Sequence, residues 1–94
     1  MICRKKDFDE AYLAECVWVI SENAYPHGSP WTKMQFLADI QQPHSDYLLL
    51  VEDNQICGVI GYSKGIDEVE ITNIAVAVSE QGKGHARHLL QLLI

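Results

Sequence analysis

The first half of the chain contains two segments in which apolar residues recur with the period of an α-helix. Apolar positions three or four residues apart between residues 7 and 25 predict a first helix, preceded by a short strand at Ile2–Lys5. Asp7 is the predicted N-cap of this helix, with Glu10 three residues later as in a capping box. After a loop rich in proline and glycine, a second helix is predicted with Ser29 as N-cap and Pro30 in its first turn.

The second half of the chain begins with two strand patterns. Residues 46–52 and 55–64 are nearly continuous apolar runs, separated by Asp53 and Asn54. The short separation predicts an antiparallel hairpin. A strand with one face in solvent would alternate apolar and polar residues. Because these two runs do not alternate, we expect helices to cover both faces of the sheet.

The third predicted strand, which starts at Val69, changes the parity of its apolar positions. Val69 and Ile71 are apolar at odd positions, whereas Ile74 and Val76 are apolar at even positions. A single inserted residue shifts a period-two pattern in this way, so the sequence predicts a β-bulge near Thr72–Ile74. Bulges gather near active sites, because they redirect backbone groups.

A last helix is predicted from Gly82 onward, where alanine and leucine residues recur at helical spacing. The predicted order is β-α-α-β-β-β-α, an α/β (α+β) arrangement around a mixed sheet. One domain covering residues 1–94 is expected, without a repeat or linker. The helical pattern continues to the last residue without a C-cap glycine or proline.

Composition and charge narrow the possible partners. The 94 residues include 7 Lys and Arg against 13 Asp and Glu, which gives a net charge of −6 and an isoelectric point near 5.0. Such a chain is not expected to bind nucleic acid or an anionic membrane surface. Two interpretations of the acidic surface stay open: solubility alone, or attraction of a basic peptide or amine.

The cysteine pattern indicates a reducing environment. Cys3, Cys16 and Cys57 are an odd set without C-x-x-C spacing, so neither a disulfide framework nor a zinc site is expected. Cys57 lies in an apolar strand pattern and is predicted to be a small core residue. No segment has the apolar length of a signal peptide or a membrane span, and the prediction is a cytoplasmic protein.

The turn "SEQGKGHA" joins the bulged strand to the last helix. Free N–H groups at the start of a helix, with Gly82 and Gly84 beside them, can hold a phosphate, and Lys83 and Arg87 add positive charge. The turn lacks the spacing of a P-loop, and Arg87 stands where a dinucleotide fingerprint has its third glycine. An ordinary turn without a ligand is the alternative interpretation.

The segment "NIAVAVSEQGKGHARHLLQLL" resembles the acetyl-CoA-binding motif of the GNAT superfamily of N-acetyltransferases. That motif is Q/R-x-x-G-x-G/A, and Gln81, Gly84 and Ala86 occupy its defining positions. In addition, "SPWT" at 29–32 and "DEVEITNIAV" at 67–76 are similar to bacterial ribosomal-protein-alanine N-acetyltransferases of the RimI type. The resemblance covers the whole chain and implies an acyl-CoA N-acyltransferase (GNAT) fold lacking its C-terminal strands.

The resemblance also implies a function, an acetyl-CoA-dependent transfer of acetyl to an amine such as the N-terminal alanine of a ribosomal protein. A backbone N–H near Val76 would stabilise the oxyanion formed when a neutral amine attacks the thioester. The pantetheine arm and thioester would face Ile74, Ala75 and Val76. The phosphates would be held by the loop residues Gln81, Gly82, Lys83, Gly84, His85 and Ala86.

Three further candidate residues have two interpretations each. Glu70 is either a semi-buried proton acceptor, acting directly or through water, or a solvated charge at a strand edge. Tyr25 and Trp31 border the loop that shapes the acceptor groove in relatives, and either contact substrate or pack in the core. His85 and His88 lie one turn apart, but without a third ligand nearby in sequence no metal is expected.

The chain is short for this family, whose members continue beyond the last helix and place a catalytic tyrosine and glutamate there. We therefore expect a truncated domain whose third strand has a bare edge, and self-association through that edge into a homo-oligomer. Two alternatives to an active enzyme stay open. One is a catalytically silent fragment that binds CoA or itself, and the other is a phosphate-binding domain unrelated to acyl transfer.

Overall fold

A computed structural model describes residues 1–93, within which one antiparallel sheet is packed between helices. The four strands lie in the sheet in the order in which they follow one another in the chain, and every pairing within these residues is antiparallel. The predicted order of elements and the α/β class are confirmed; Ile94, the end of the predicted last helix, lies outside the described residues. The elements are β1 Ile2–Arg4, α1 Glu10–Ala24, α2 Lys33–Ile40, β2 Ser45–Glu52, β3 Gln55–Lys64, β4 Val69–Val76 and α3 His85–Gln91.

The first helix starts at a different cap from the predicted one. The carboxylate of Asp9 accepts a hydrogen bond from the backbone N–H of Tyr12 and is the N-cap of α1. Asp7 was the predicted cap, but its carboxylate instead accepts from the N–H of Arg4 and closes a single 3₁₀ turn. The prediction was therefore wrong by two residues.

The second helix also starts later than predicted. Thr32 and Gln35 form a reciprocal capping box at its start. Ser29, the predicted cap, donates its hydroxyl to the carbonyl of Trp31 and shapes the preceding loop. Pro30 therefore lies in that loop, outside the helix.

Helices cover both faces of the sheet, as predicted. On one face α1 and α2 enclose the larger core, in which Leu13, Phe36 and Tyr47 are fully buried. On the other face α3 covers a smaller core with Leu89 at its centre. The sheet therefore separates two apolar layers. The loop that follows β4 leads the chain to the second layer, where α3 packs.

The predicted bulge is present in β4. Gly61 of β3 pairs with Asn73, but its neighbour Tyr62 pairs with Ile71, which leaves Thr72 as the extra residue. Residues three positions apart in a regular strand face opposite sides of the sheet. Because of the extra residue, Ile71 and Ile74 face the same side. The apolar side chains of β4 therefore keep facing α3 on both sides of the bulge.

No helix in the described part of the chain has the length and apolar character needed to cross a membrane.

Candidate functional site

A cleft of about 300 Å³ opens where the end of α1, the second half of β4 and the loop before α3 meet. Its volume is at the lower end of the range for small-molecule sites. Of the nine residues predicted to contact a cofactor, eight line it: Ile74, Ala75, Val76, Gln81, Gly82, Gly84, His85 and Ala86. Tyr25, predicted as a substrate contact or core residue, lines it as well.

The outer edge of β4 forms one wall of this cleft. The N–H of Ala77 donates to the carbonyl of Cys57 on β3 at 2.8 Å. Because backbone groups alternate in direction along an antiparallel strand, Ala75 also faces β3, whereas the backbone groups of Ile74 and Val76 face away from it. Those two residues therefore present their N–H and C=O groups at the edge where no strand within residues 1–93 pairs.

The two carbonyls at this edge are already bonded by side chains of the same chain. The hydroxyl of Tyr25 lies 2.8 Å from the carbonyl oxygen of Ile74. The Nε2 of Gln81 donates to the carbonyl of Val76 at 3.0 Å. The N–H groups of Ile74 and Val76 have no hydrogen-bond partner in the described residues. This half of the β4 edge therefore offers two unpaired donors beside two carbonyls that already accept a hydrogen bond.

A buried polar group fixes the position of Tyr25. Its hydroxyl also lies 2.9 Å from Oδ1 of Asn73, which is 4% exposed, so that two acceptors share the single phenol proton. The Nδ2 of Asn73 donates to the buried hydroxyl of Ser21 on α1 at 3.2 Å. These contacts join the end of α1 to β4 just after the bulge and hold the donor edge in place.

The loop at the other end of the cleft has an open backbone. Gly82 and Gly84 have φ angles of 84° and 81°, the left-handed region that favours glycine. A Cβ added at either position would meet no atom within 4 Å, so a ligand can approach the backbone there. The N–H groups of Gly84, His85 and Ala86 donate no hydrogen bond within residues 1–93.

The charged side chains of the loop are engaged with one another. The Nζ of Lys83 lies 3.2 Å from Oε2 of Glu80, and Nε2 of His85 lies 3.6 Å from Oε1 of the same carboxylate. Lys83 is the one predicted cofactor contact that does not line the cleft, and it lies in a neighbouring hollow with Glu80. Sequence alone could not predict this, because a lysine side chain reaches several partners.

The sequence model of the acetyltransferase (GNAT) family matches residues 6–94. The chain belongs to this family. A putative alanine N-acetyltransferase of ribosomal protein bS18 from Bacillus subtilis (strain 168) is 31% identical over 81 residues, which are 85% of this chain and 48% of that protein.

Two crystal structures of other proteins share the fold. The ribosomal-protein-S18-alanine N-acetyltransferase of Escherichia coli superposes with a TM-score of 0.80 at 22% identity, over 99% of this chain and 57% of that one. Tetrahymena GCN5 superposes with a TM-score of 0.69 at 18% identity, over 87% of this chain and 51% of that one. The chain thus spans about half the length of these relatives, and the GNAT fold is confirmed for that half.

The remaining predicted residues lie away from the cleft of this GNAT domain. Glu70 is exposed and does not line it, so of its two interpretations the structure shows the charge at a strand edge and not the semi-buried carboxylate. The bulge places Glu70 on the same face as Asn73, because their partners Ser63 and Gly61 on β3 are two residues apart. Trp31 packs against Phe36, with ring centroids 5.2 Å apart, at the border of the larger core.

Cys57 is a core residue, as predicted. Burial, with a contribution from the nearby carboxylates of Glu52 and Glu80, raises the pKa of its thiol. A thiol held in its neutral form is a poor nucleophile. Among the described residues, no group of three or more His, Cys, Asp or Glu side chains could hold a metal ion.

Sequence reasoning missed several residues that build the site. Asn73 and Ser21 form the buried link between α1 and β4, and Ala24 and Glu80 line the cleft. A signal for Asn73 was present, because it is a polar residue in an apolar strand at the point where the parity changes. Ser21 and Ala24 carry no such signal, since their roles depend on where the end of α1 meets β4.

Proposed function

We propose that the chain is an acetyl-CoA-dependent N-acetyltransferase domain that transfers acetyl to an amine. The observation that carries the proposal is the shared cleft, in which a donor edge and an open loop of unpaired N–H groups face one ligand space. Membership of the GNAT family supplies the ligand class. The residues present fit acetyl-CoA, because carbonyl oxygens need donors and phosphate groups need an exposed backbone.

The ligand would lie along β4 with its two ends at different elements. Ile74 and Val76 are two residues apart in an extended strand, so their N–H groups are separated by about 6.8 Å. That spacing suits two carbonyl oxygens of an acylated pantetheine arm. The diphosphate would lie on the loop from Gln81 to Ala86, where Gly82 and Gly84 leave the backbone accessible.

The chemistry assigned to this cleft is direct acyl transfer. A neutral amine attacks the thioester carbonyl, and a tetrahedral oxyanion forms with an extra proton on the nitrogen. The C–S bond then breaks, and the departing thiolate takes up the proton that the nitrogen loses as the amide forms. The N–H of Val76 is the proposed oxyanion donor, because it is unpaired and faces the cleft. Such a donor contributes roughly 3–4 kcal/mol to transition-state stabilisation in acyl-transfer enzymes.

Glu70 is the proposed proton acceptor for the attacking ammonium group. It lies on the same face of β4 as Asn73, and its exposed carboxylate reaches the amine through water rather than directly. A Glu70→Gln variant is then expected to lower kcat while leaving the affinity for acetyl-CoA unchanged. Equal kcat values for the two proteins would remove Glu70 from the mechanism.

The proposed acceptor is a protein N-terminal alanine of the ribosomal type. The relative from Bacillus subtilis is named for that substrate in ribosomal protein bS18. The net charge of −6 on this chain favours a basic peptide as acceptor. The proposed setting is the cytoplasm, where such substrates are made.

Calorimetric titration with acetyl-CoA, CoA and ADP tests the cofactor site. We expect micromolar binding of CoA and weaker binding of ADP, because only CoA fills the edge of β4. Equal affinities would indicate a phosphate site without a pantetheine groove. Product formation from acetyl-CoA and an alanine-terminated basic peptide then separates an active enzyme from a silent CoA-binding fragment.

Self-association through the first half of β4 is the second proposal about this domain. Ser63 and Glu70 face each other across the β3–β4 ladder, so the backbone groups of Val69 and Ile71 face outward. The side chains of Val69 and Ile71 are 48% and 44% exposed. An edge of this kind is a template for pairing with a second copy.

Sedimentation over a concentration series tests the self-association. The variant Ile71→Pro removes an outward N–H without removing a ladder bond to β3, and is expected to be monomeric. Because the edge also carries Glu68 and Glu70, association of the wild-type chain is expected to strengthen as salt rises. A wild-type chain that stays monomeric at every concentration contradicts the proposal.

A further inference from the structure

A carboxylate lies in the wall of the cleft, where phosphate groups are proposed to bind. Glu80 lines the cleft, its side chain is 23% exposed, and its two oxygens contact two side chains of the loop. Lys83 contacts one oxygen at 3.2 Å, and His85 contacts the other at 3.6 Å. A negative charge at this place repels an anionic ligand and engages the side chains that would attract one.

His85 is held against the same carboxylate. Its Nε2 is buried and has no hydrogen-bond partner within residues 1–93. The acidic group beside it is Glu80, whose Oε1 lies 3.6 Å away. Glu80 therefore lies against both the lysine and the imidazole of the loop.

We propose that Glu80 is an internal counter-ion that competes with the phosphate groups of the ligand for Lys83 and His85. The loop then binds a phosphorylated ligand more tightly when the charge of Glu80 is removed. The inference rests on the proposed function for the position of the phosphates. It assigns to Glu80 a control of affinity that neither the fold nor the loop motif specifies.

The other charged and titratable groups near His85 are few. From α1 the cleft receives the phenol of Tyr25, and β4 contributes the apolar residues Ile74, Ala75 and Val76. On α3, Arg87 and His88 are exposed and lie outside the cleft lining. Glu52 of β2 lines the neighbouring hollow with Lys83. Glu80 is thus the acidic residue of the cleft lining itself.

Calorimetric titration of Glu80→Gln with CoA at low salt is the first test. We expect affinity about two- to fivefold higher than in the wild-type chain, the effect of removing one partly exposed charge pair. Glu10→Gln is the matched control, because it makes the same charge change at an exposed site on α1 and is expected to bind as the wild type does. Unchanged or weaker binding by Glu80→Gln overturns the inference.

The second test is a double-mutant cycle with Lys83→Gln, and dephospho-CoA is the probe. If Glu80 engages Lys83, the lysine contributes little to affinity in the wild-type chain and more once residue 80 is uncharged. Lys83→Gln is therefore expected to weaken binding about two- to fivefold more in the Glu80→Gln background than in the wild-type chain.

The outcomes separate this inference from the proposed function. If the folded wild-type chain binds no CoA at pH 7, the proposed function fails and the inference fails with it. If CoA binds to the wild-type chain and Glu80→Gln binds it no more tightly, only the inference fails. If Lys83→Gln weakens binding equally in both backgrounds, Glu80 does not compete for Lys83 and the inference is wrong.

Discussion

Gly84 shows how much a single residue decides at this site. Its φ of 81° and the open space around it leave the loop backbone accessible. A side chain at this position lies in the space that a phosphate would occupy, and the left-handed backbone adds a cost of about 1–2 kcal/mol. The glycine is therefore required for two separate reasons, conformation and access.

The variant Gly84→Glu is expected to abolish CoA binding. A carboxylate beside the loop N–H groups repels the phosphates and occupies their donors. Gly84→Gln has the same length and the same backbone cost without the charge, and is expected to bind weakly but measurably in calorimetry. Wild-type affinity in Gly84→Glu would show that the phosphates lie elsewhere.

Tyr25→Phe tests the link between α1 and β4. Removal of the hydroxyl leaves the Ile74 carbonyl and the buried amide of Asn73 each short of a partner. We expect urea denaturation to show a loss of about 1–2 kcal/mol in the free energy of unfolding. The control is Tyr12→Phe, at a residue 52% exposed, with an expected change below about 0.5 kcal/mol. Equal stabilities of the two variants would contradict the role of Tyr25.

At this scale the sequence is most informative where a residue's conformation follows from its backbone. The open turn at Gly82 and Gly84 could be predicted, because their left-handed φ angles belong to the turn itself. The positions of the Lys83 and Glu70 side chains could not, because a long charged side chain depends on partners that the sequence does not identify. Glu80 was overlooked for the same reason.

At the scale of elements, the bulge of β4 connects the sequence pattern to the site. Its parity change is visible in the sequence because each face of a buried strand must stay apolar. The helix caps are less predictable, because Asp7 competes with Asp9 and Ser29 with Thr32. Each pair contains two good capping residues, and contacts outside the helix decide between them.

Thr72→Val is expected to leave the stability unchanged or to raise it by up to about 1 kcal/mol. The hydroxyl of Thr72 is buried at the bulge without a hydrogen-bond partner in the described residues, and valine removes it at nearly the same shape. Thr32→Val is the control, because it removes the N-cap acceptor of α2 and is expected to cost about 1 kcal/mol. A loss above 1 kcal/mol in Thr72→Val would mean that the hydroxyl is bonded in solution.

At the scale of the whole molecule, the two cores contain groups that resist ionisation. Burial, with Glu52 and Glu80 adding to it, raises the pKa of Cys57 in the smaller core. Burial and a hydrogen bond to Asp39 raise the pKa of Tyr47 in the larger core. The pKa of each group is higher in the folded chain than in the unfolded chain. Its contribution to the free energy of unfolding is therefore fully present below the unfolded pKa and is lost as pH rises towards the folded pKa.

The free energy of unfolding is therefore expected to fall on the alkaline side. Since a thiol in an unfolded chain ionises near pH 8.5 and a phenol near pH 10, the decline begins above about pH 8.5 and steepens above about pH 10. Urea denaturation between pH 7 and pH 10.5 measures it. Cys57→Ala is expected to flatten the first part of the decline, and Cys3→Ala to keep it. A decline that is the same in both variants would exclude Cys57 as its source.

The capped carbonyls of β4 also affect how the chain behaves in a crowded solution. A growing fibril extends by adding strands whose donors and acceptors alternate along the edge. Tyr25 and Gln81 already bond the carbonyls of Ile74 and Val76, so their side chains lie where the donors of an incoming strand would bind. The same two side chains thereby hinder amyloid-like stacking along this segment.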